Sequence, residues 1–286
     1  IDEVVDVRGA MTVNKGAEVS IESNGDVNVK GGTLVNDGTI EVDGKFAMLD
    51  AQGTTVASAG QNMTNNGTFI DNVGSTIGGA TQYMNQNGEY ICKVNSEYRL
   101  SEAYINKTAC STIQFVELET SPATTSYNYV FTATPVQHNG EHVKIIVDVA
   151  NVTFTPGKAI TIGDLTVNSG ADLEIAKTST STVNKVQVLN TITVAGDINV
   201  TGDFKTATGV VNMTADNMTV NKGGTAKFEN RTSQTDKTME ISSTIEVKNG
   251  ATFTITDATG SNLPAYITCT KLIEGGTFNG KPEVIL

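Results

Sequence analysis

A short phrase recurs along this chain: Met11-Thr12-Val13-Asn14-Lys15-Gly16-Ala17, Leu165-Thr166-Val167-Asn168-Ser169-Gly170-Ala171, Met218-Thr219-Val220-Asn221-Lys222-Gly223-Gly224 and, more loosely, Ile245-Glu246-Val247-Lys248-Asn249-Gly250-Ala251. Each copy reads as a strand ending in a turn, and after each turn the apolar/polar alternation resumes, as in Glu18-Val19-Ser20-Ile21 and Thr252-Phe253-Thr254-Ile255. Self-similarity of this kind marks a repeat architecture, in which each unit buries its apolar face only by stacking on its neighbours. It therefore decides where every other residue sits.

Residues 10–50 carry turns at Asn24-Gly25, Gly31-Gly32, Asp37-Gly38 and Asp43-Gly44, separated by runs such as Val27-Asn28-Val29 and Thr39-Ile40-Glu41-Val42. Taken locally, Asn-Gly and Asp-Gly between alternating runs signal antiparallel hairpins. Taken globally, glycines six or seven residues apart group into threes of about 19 residues, which suits a three-sided coil. The global reading is preferred. Strands of three or four residues cannot bury a meander's face, whereas stacked coils give each strand a partner above and below. The expected fold is thus all-β, a right-handed parallel β-helix, with Asn14, Asn36, Asn66, Asn168 and Asn221 as candidates for hydrogen-bonded turn ladders. Val167 and Val220 are expected to point inward.

One segment breaks the pattern. Leu100, Ala103, Tyr104 and Lys107 fall at helical spacing behind Asn95 or Ser96 as N-cap, so a short capping helix is expected near residues 96–107. The strand Thr112-Ile113-Gln114-Phe115-Val116 follows it. A helix laid over an open coil blunts an edge that would otherwise pair. This predicts an N-terminal β-rich module over 1–89 and a capped module over 90–286, with an excursion near 120–143 that contains Tyr127-Asn128-Tyr129-Val130-Phe131 and the turn His138-Asn139-Gly140-Glu141.

The chain has 286 residues and a formal charge of −12, without the Lys/Arg clusters that displace phosphate counterions, which argues against a nucleic-acid partner. No apolar run approaches the roughly 20 residues of a membrane-spanning helix. The start at Ile1 reads as a trimmed, mature form or as a cloned fragment, and a composition rich in Thr, Asn, Gly and Val favours export, to secretion or to the cell surface in association with an outer membrane. Three cysteines do not make a disulfide scaffold. Cys92 and Cys110 are about one coil apart, so they read either as small buried side chains or as a bridge between adjacent rungs. Cys269, in Ile267-Thr268-Cys269-Thr270, reads as core.

Chemistry is sparse. Asp26, Asp37, Asp43, Asp197 and Asp203 stand at or near glycines, where Asp makes turns, although Asp197 and Asp203 could face each other across a corner. His138 and His142 with Glu141 have the spacing of a metal pair on a helix, but Asn139-Gly140 makes that stretch a turn. No nucleophile elbow, phosphate loop, dinucleotide fingerprint or calcium nonapeptide is present, and no cofactor or metal is implied. Threonine runs at 178–182 and 252–256 reflect β-propensity rather than an ice-binding array. The sequons, for example at Asn62, Asn66 and Asn230, follow from the abundance of Asn and Thr. Tryptophan is absent, and the tyrosines gather between Tyr83 and Tyr129, so Tyr98, Tyr104, Tyr127 and Tyr129 are the candidate ligand-binding residues.

The phrases Leu165 to Ile175, Met218 to Phe228 and Asn36-Asp37-Gly38-Thr39-Ile40 resemble the repeats of bacterial surface β-helix proteins, the filamentous-haemagglutinin-type and pectin-lyase-like adhesins. The stretch from Leu100 to Phe115 is similar to the N-terminal cap of the second group. The resemblance covers most of the chain and implies a non-enzymatic, exported, surface-associated β-solenoid that meets host or bacterial surface glycans or proteins. No catalytic residue of a lyase or hydrolase carries over. A glycan-binding or glycan-cleaving β-helix is the alternative, and a purely structural stalk is the third reading.

Overall fold

The computed structural model describes residues 1–54, 62–73, 75–78, 85–94, 110–117, 127–131, 134–135, 140–177, 180–183, 186–209, 211–232, 234, 237–257 and 263–285. Among these every regular element is a strand, and pairing is parallel throughout except for one hairpin, Thr180–Val183 with Val186–Leu189, and one isolated bridge between Arg231 and Leu263. The helix expected near 96–107 lies outside the described residues.

The chain forms two compact units, Ile1–Gln114 with Val136–Val143, and Phe115–Pro135 with Lys144–Leu286. In the first, consecutive strands join three ladders in strict rotation. Val4–Arg8, Met11–Val13 and Glu18–Ile21 are followed by Asp26–Lys30, Leu34–Asn36 and Thr39–Val42, each paired in parallel with the strand three before it. Further circuits add Lys45–Leu49, Met63–Asn65 and Thr68–Asp71. The local Asn-Gly and Asp-Gly signals therefore mark corners, not hairpins. Strands this short leave no other way to satisfy their backbone groups on both sides.

The second unit repeats the rotation. Its ladders run from Ile160–Ile162 to Glu283–Val284, from Lys144–Val147 to Lys271–Glu274 and from Tyr127–Phe131 to Thr277–Asn279. The circuits vary in length. Hydrogen-bonded neighbours are 20 residues apart at Asn217 and Asp197, 27 at Lys248 and Asn221, and 33 at Asp197 and Asp164, where the antiparallel hairpin is inserted. The sequence estimate of about 19 residues is the coil without such insertions.

The recurring phrase has one structure in all four copies. Ala17, Ala171, Gly224 and Ala251 each donate a backbone N–H to the carbonyl three residues earlier, at 2.9, 3.1, 2.8 and 2.9 Å. The preceding Gly16, Gly170, Gly223 and Gly250 have φ of 81°, 83°, 88° and 83°. Residue three of this turn must adopt positive φ, which costs a residue with a Cβ about 1 kcal/mol or more, so glycine recurs there.

Inside the second unit, register stacks like on like. Val147, Val167, Val200, Val220 and Val247 form one fully buried column. Phe204, Ala226, Phe253 and Phe278 form another, and the Phe228 ring, two residues beyond Ala226, packs against both Phe204 and Phe253 with centroids 5.9 and 5.0 Å away. Each fully buried valine or phenylalanine contributes roughly 1.5–3 kcal/mol by leaving water. In the first unit an inward column is polar. Asn36 donates to Asn65 at 2.7 Å and to the Thr68 carbonyl at 2.9 Å, and Asn65 donates to the Glu89 carbonyl at 2.9 Å, so two fully buried amides are paired. An outer ladder runs beside it, Asn87 to Asn66 and Asn66 to Asp37, both at 2.8 Å. Next to these, Gly38, Gly67 and Gly88 stack so closely that a Cβ on Gly67 would lie 2.0 Å from the Gly38 carbonyl oxygen. Asn168 and Asn221 also bond along their corner, to Asp148 and Thr201, whereas Asn14 is an exposed turn residue.

Val220→Asp should lower stability by several kcal/mol, because it buries an unpaired carboxylate in the valine column. Thr219→Lys, one residue away on the outward side and opposite Glu246, should change it by no more than about 0.5 kcal/mol. Denaturant unfolding monitored by circular dichroism distinguishes them, and equal midpoints would contradict the inward assignment.

Candidate functional site

Of the four candidate tyrosines, Tyr98 and Tyr104 lie outside the described residues, as does the side chain of Tyr127, whose backbone pairs with Val152. Tyr129 is a core residue. It is 4% exposed and packs edge-on against Phe115 and Phe131, with centroids at 5.6 and 4.5 Å, so it offers no open ring face to a ligand. In the sequence its neighbours Asn128 and Val130 gave no hint, because an aromatic inward position looks the same as an aromatic platform. Cys92, Cys110 and Cys269 are all buried, and burial pushes the Cys269 thiol above its ordinary value. His142 and Glu141 are exposed. Asp197 and Asp203 belong to different ladders: Asp197 accepts from Asn217 at 2.8 Å, while Asp203 is the register partner of Asp172.

Three clusters were not legible in the sequence. The first is internal. Asp71 is fully buried in an otherwise apolar column with Val42 and Cys92, and accepts hydrogen bonds from the Ser75 hydroxyl and, at 3.2 Å, from the Tyr90 phenol. Its phase in Thr68-Phe69-Ile70-Asp71, two residues after inward Phe69, was the available signal. This network holds the interior together and has no access to a ligand.

The second lies on a corner of the first unit. Asn72 donates to Glu41 at 2.8 Å, and Lys93 lies 3.7 Å from the same carboxylate. Asp43 stands beside them. Burial, together with the neighbouring charges of Glu41 and Glu22, holds its carboxyl above the ordinary value against the opposing hydrogen bond from Asn72.

The third is on the second unit. Arg231 donates from Nε to the Pro264 carbonyl at 3.0 Å and from Nη1 to the Gln234 carbonyl at 2.8 Å, and its guanidinium lies 5.2 Å from the Tyr266 ring centroid. The Glu283 carboxylate beside it accepts the Tyr266 phenol and holds that phenol above its usual value. Lys237 pairs with Glu240 at 2.7 Å. Glu240 and Glu283 are both register partners of Thr268, so two carboxylates, an arginine and a tyrosine share this outer face. Polar groups held on a rigid sheet face can grip a polyhydroxyl ligand. Arg231 and Tyr266 are brought together by an insertion in one circuit, and no linear spacing encodes that.

The remaining outward positions form continuous polar columns. Thr161, Thr193 and Thr214 align on one ladder, Asp197, Asn217, Thr244 and Lys271 on the second, and Glu174, Lys205 and Lys227 on the third. Lys205 lies 3.2 Å from Glu174 and 3.9 Å from Asp172, and Lys227 lies 2.5 Å from Glu229. No family model, curated protein or solved structure matches this chain.

The Asp43 arrangement sets a pH dependence. A carboxyl raised in the folded state binds more protons folded than unfolded, so stability falls as pH rises through the window between the unfolded and the folded values. Asp43→Asn removes that charge from Glu41 and Glu22. The variant should melt above the parent at pH 7, and the difference should close as the pH falls below the carboxylate range. An equal or lower melting temperature at pH 7 would show that the hydrogen bond from Asn72 outweighs the burial and repulsion.

Proposed function

We propose that the parallel ladders of each unit are the faces of a right-handed parallel β-helix, and that the protein is an exported, non-enzymatic cell-surface β-solenoid whose long outer faces serve adhesion. The handedness follows from strand twist: a strand that returns to pair in parallel within the same sheet does so by a right-handed crossover in nearly all cases. The adhesive reading rests on one observation above all, the outward columns of Thr, Asn, Asp, Glu and Lys repeated in register over successive circuits. Such columns place polar groups at a spacing of about 4.8 Å, the strand separation, so weak contacts add along a face. The resemblance of the recurring phrase to bacterial surface adhesins points the same way. Glycans or proteins of a host or bacterial surface are the proposed partners.

A second reading, a glycan-binding or glycan-cleaving β-helix, is favoured by the convergence of Glu240, Glu283, Arg231 and Tyr266 on one face. Paired carboxylates are the usual equipment of glycoside cleavage. Their separation by one intervening strand leaves room for a sugar between them, though both are exposed and one is bound to a phenol.

The test is adhesion of the immobilised chain to glycan arrays, matrix proteins and epithelial cells. Saturable binding is expected, reduced several-fold by the double charge reversal Lys205→Glu and Lys227→Glu at unchanged circular dichroism. Binding to none of these surfaces would leave the structural stalk. Polysaccharide cleavage that is lost in Glu240→Gln or Glu283→Gln would replace the non-enzymatic reading with the second one.

A further inference from the structure

In the first unit, Arg8 and Lys30 end adjacent strands as direct register partners, so two cations stand side by side on the outward face. Like charges directly opposite on neighbouring strands destabilise a sheet unless something answers them. Lys30 is answered by Asp6, whose carboxylate lies 2.5 Å from its ammonium and is held below its ordinary value by that hydrogen bond. Arg8 forms no ion pair with any described residue. Both cations line a cleft of about 380 Å³ with Gly31, Ala51, Gln52 and Gly53. That volume lies within the range of small-molecule sites and equals roughly a dozen water volumes, enough for a monosaccharide.

Glycines at each of three successive corners, Gly9, Gly31-Gly32 and Gly53, leave much of the backbone bare there. A Cβ on Gly31 would lie 3.2 Å from Ala51, and one on Gly32 would strike the Gly9 carbonyl. The acid of the neighbouring corner is engaged by its own loop. The Asp50 Oδ1 accepts the backbone N–H groups of Gln52 at 2.9 Å and Thr54 at 2.7 Å. No carboxylate lines the cleft, although acids outnumber bases in this chain by 31 to 19.

We infer that this cleft binds a monoanionic, carboxylate-bearing sugar such as a uronic or sialic acid. Lys30 is already paired with Asp6, so the single charge of the Arg8 guanidinium is what the cleft offers an anion, and it matches a carboxylate better than a doubly charged phosphate. The guanidinium fork of Arg8 donates two parallel hydrogen bonds to a carboxylate, which a lysine ammonium cannot reproduce. The Gln52 amide carries both a donor and an acceptor for sugar hydroxyls, and the glycine floor lets a ring approach the backbone. The inference builds on the adhesive reading by naming a ligand class, and its test reads the cleft alone. A chain that adheres to surfaces but ignores acidic sugars would overturn the site and leave adhesion standing.

The experiment is an amide NMR titration of the full chain with sodium glucuronate and sodium N-acetylneuraminate, with glucose, acetate and inorganic phosphate as comparators. At least one of the two acidic sugars should shift the amides of Gly31, Gln52 and Gly53 with millimolar affinity, and acetate should do so more weakly. Glucose should leave them in place. Affinity should fall about tenfold or more in Arg8→Ala, recover only partly in Arg8→Lys, and weaken as salt rises. Equal shifts with glucose, tighter binding of phosphate than of either acidic sugar, or unchanged affinity in Arg8→Ala with its spectrum otherwise intact would overturn the assignment.

Discussion

Everything in this structure depends on the register of parallel backbone hydrogen bonds between one circuit and the next. Strands of three to five residues have almost no stability alone, and each becomes a strand because its N–H and C=O groups are met from the circuits on either side. Register then fixes chemistry. A slip of one residue would turn the whole inward set outward, so the column Val147, Val167, Val200, Val220, Val247 is both a consequence of the pairing and the reason it cannot slide. The buried amides of Asn36 and Asn65 do the same in the first unit with polar groups. They bond to each other and to backbone carbonyls only in this register, and any other would leave them unpaired in the interior at a cost of about 1–3 kcal/mol each.

That constraint explains which parts of the sequence could be read. The recurring phrase revealed its turn and its inward valine because a β-turn with glycine at positive φ and an apolar residue in phase are local requirements. Asn36, Asn66, Asn168 and Asn221 were legible as ladder residues for the same reason. What could not be read was partnership across circuits of unequal length. Arg231 meets Tyr266, and Leu165 meets Ile198, only after insertions whose length follows no period. Tyr129 illustrates another limit. Alternation places it inward or outward according to a phase that is set by its pairing with Phe154, not by its own segment. Asp71 was hidden because a carboxylate in an apolar phase contradicts the pattern, and it is stable there through donors from Ser75 and from Tyr90 on the neighbouring strand.

The last described strands of the second unit depart from the pattern of the earlier ones. The valine column passes to Glu274, and the column of Phe204 and Phe253 reaches Phe278, with the Lys281 ammonium 5.9 Å from the ring centroid and paired to Glu274. A charge in the phase of the valine column and a lysine across the Phe278 ring make this circuit unlike those before it, so the repetition that specifies the interior is not carried unchanged along the unit.

Functional specificity in such a molecule has to come from positions that register leaves unconstrained. Inward residues and corner glycines are committed to packing and to close backbone approach, while outward residues on the same strands are free to vary in charge. Most of them use that freedom in compensated pairs, as Lys205 does with Glu174 and Asp172, or Lys237 with Glu240. Compensated pairs on an exposed face add little stability and present little net field. A ligand of defined charge is therefore best discriminated where compensation is incomplete and the backbone is bare. The Arg8 corner meets both conditions through its glycines and an Asp50 carboxylate engaged by its own loop. On the adhesive reading proposed above, the broad columns would supply contact area, and recognition would come from the few corners where a circuit departs from its own repeat.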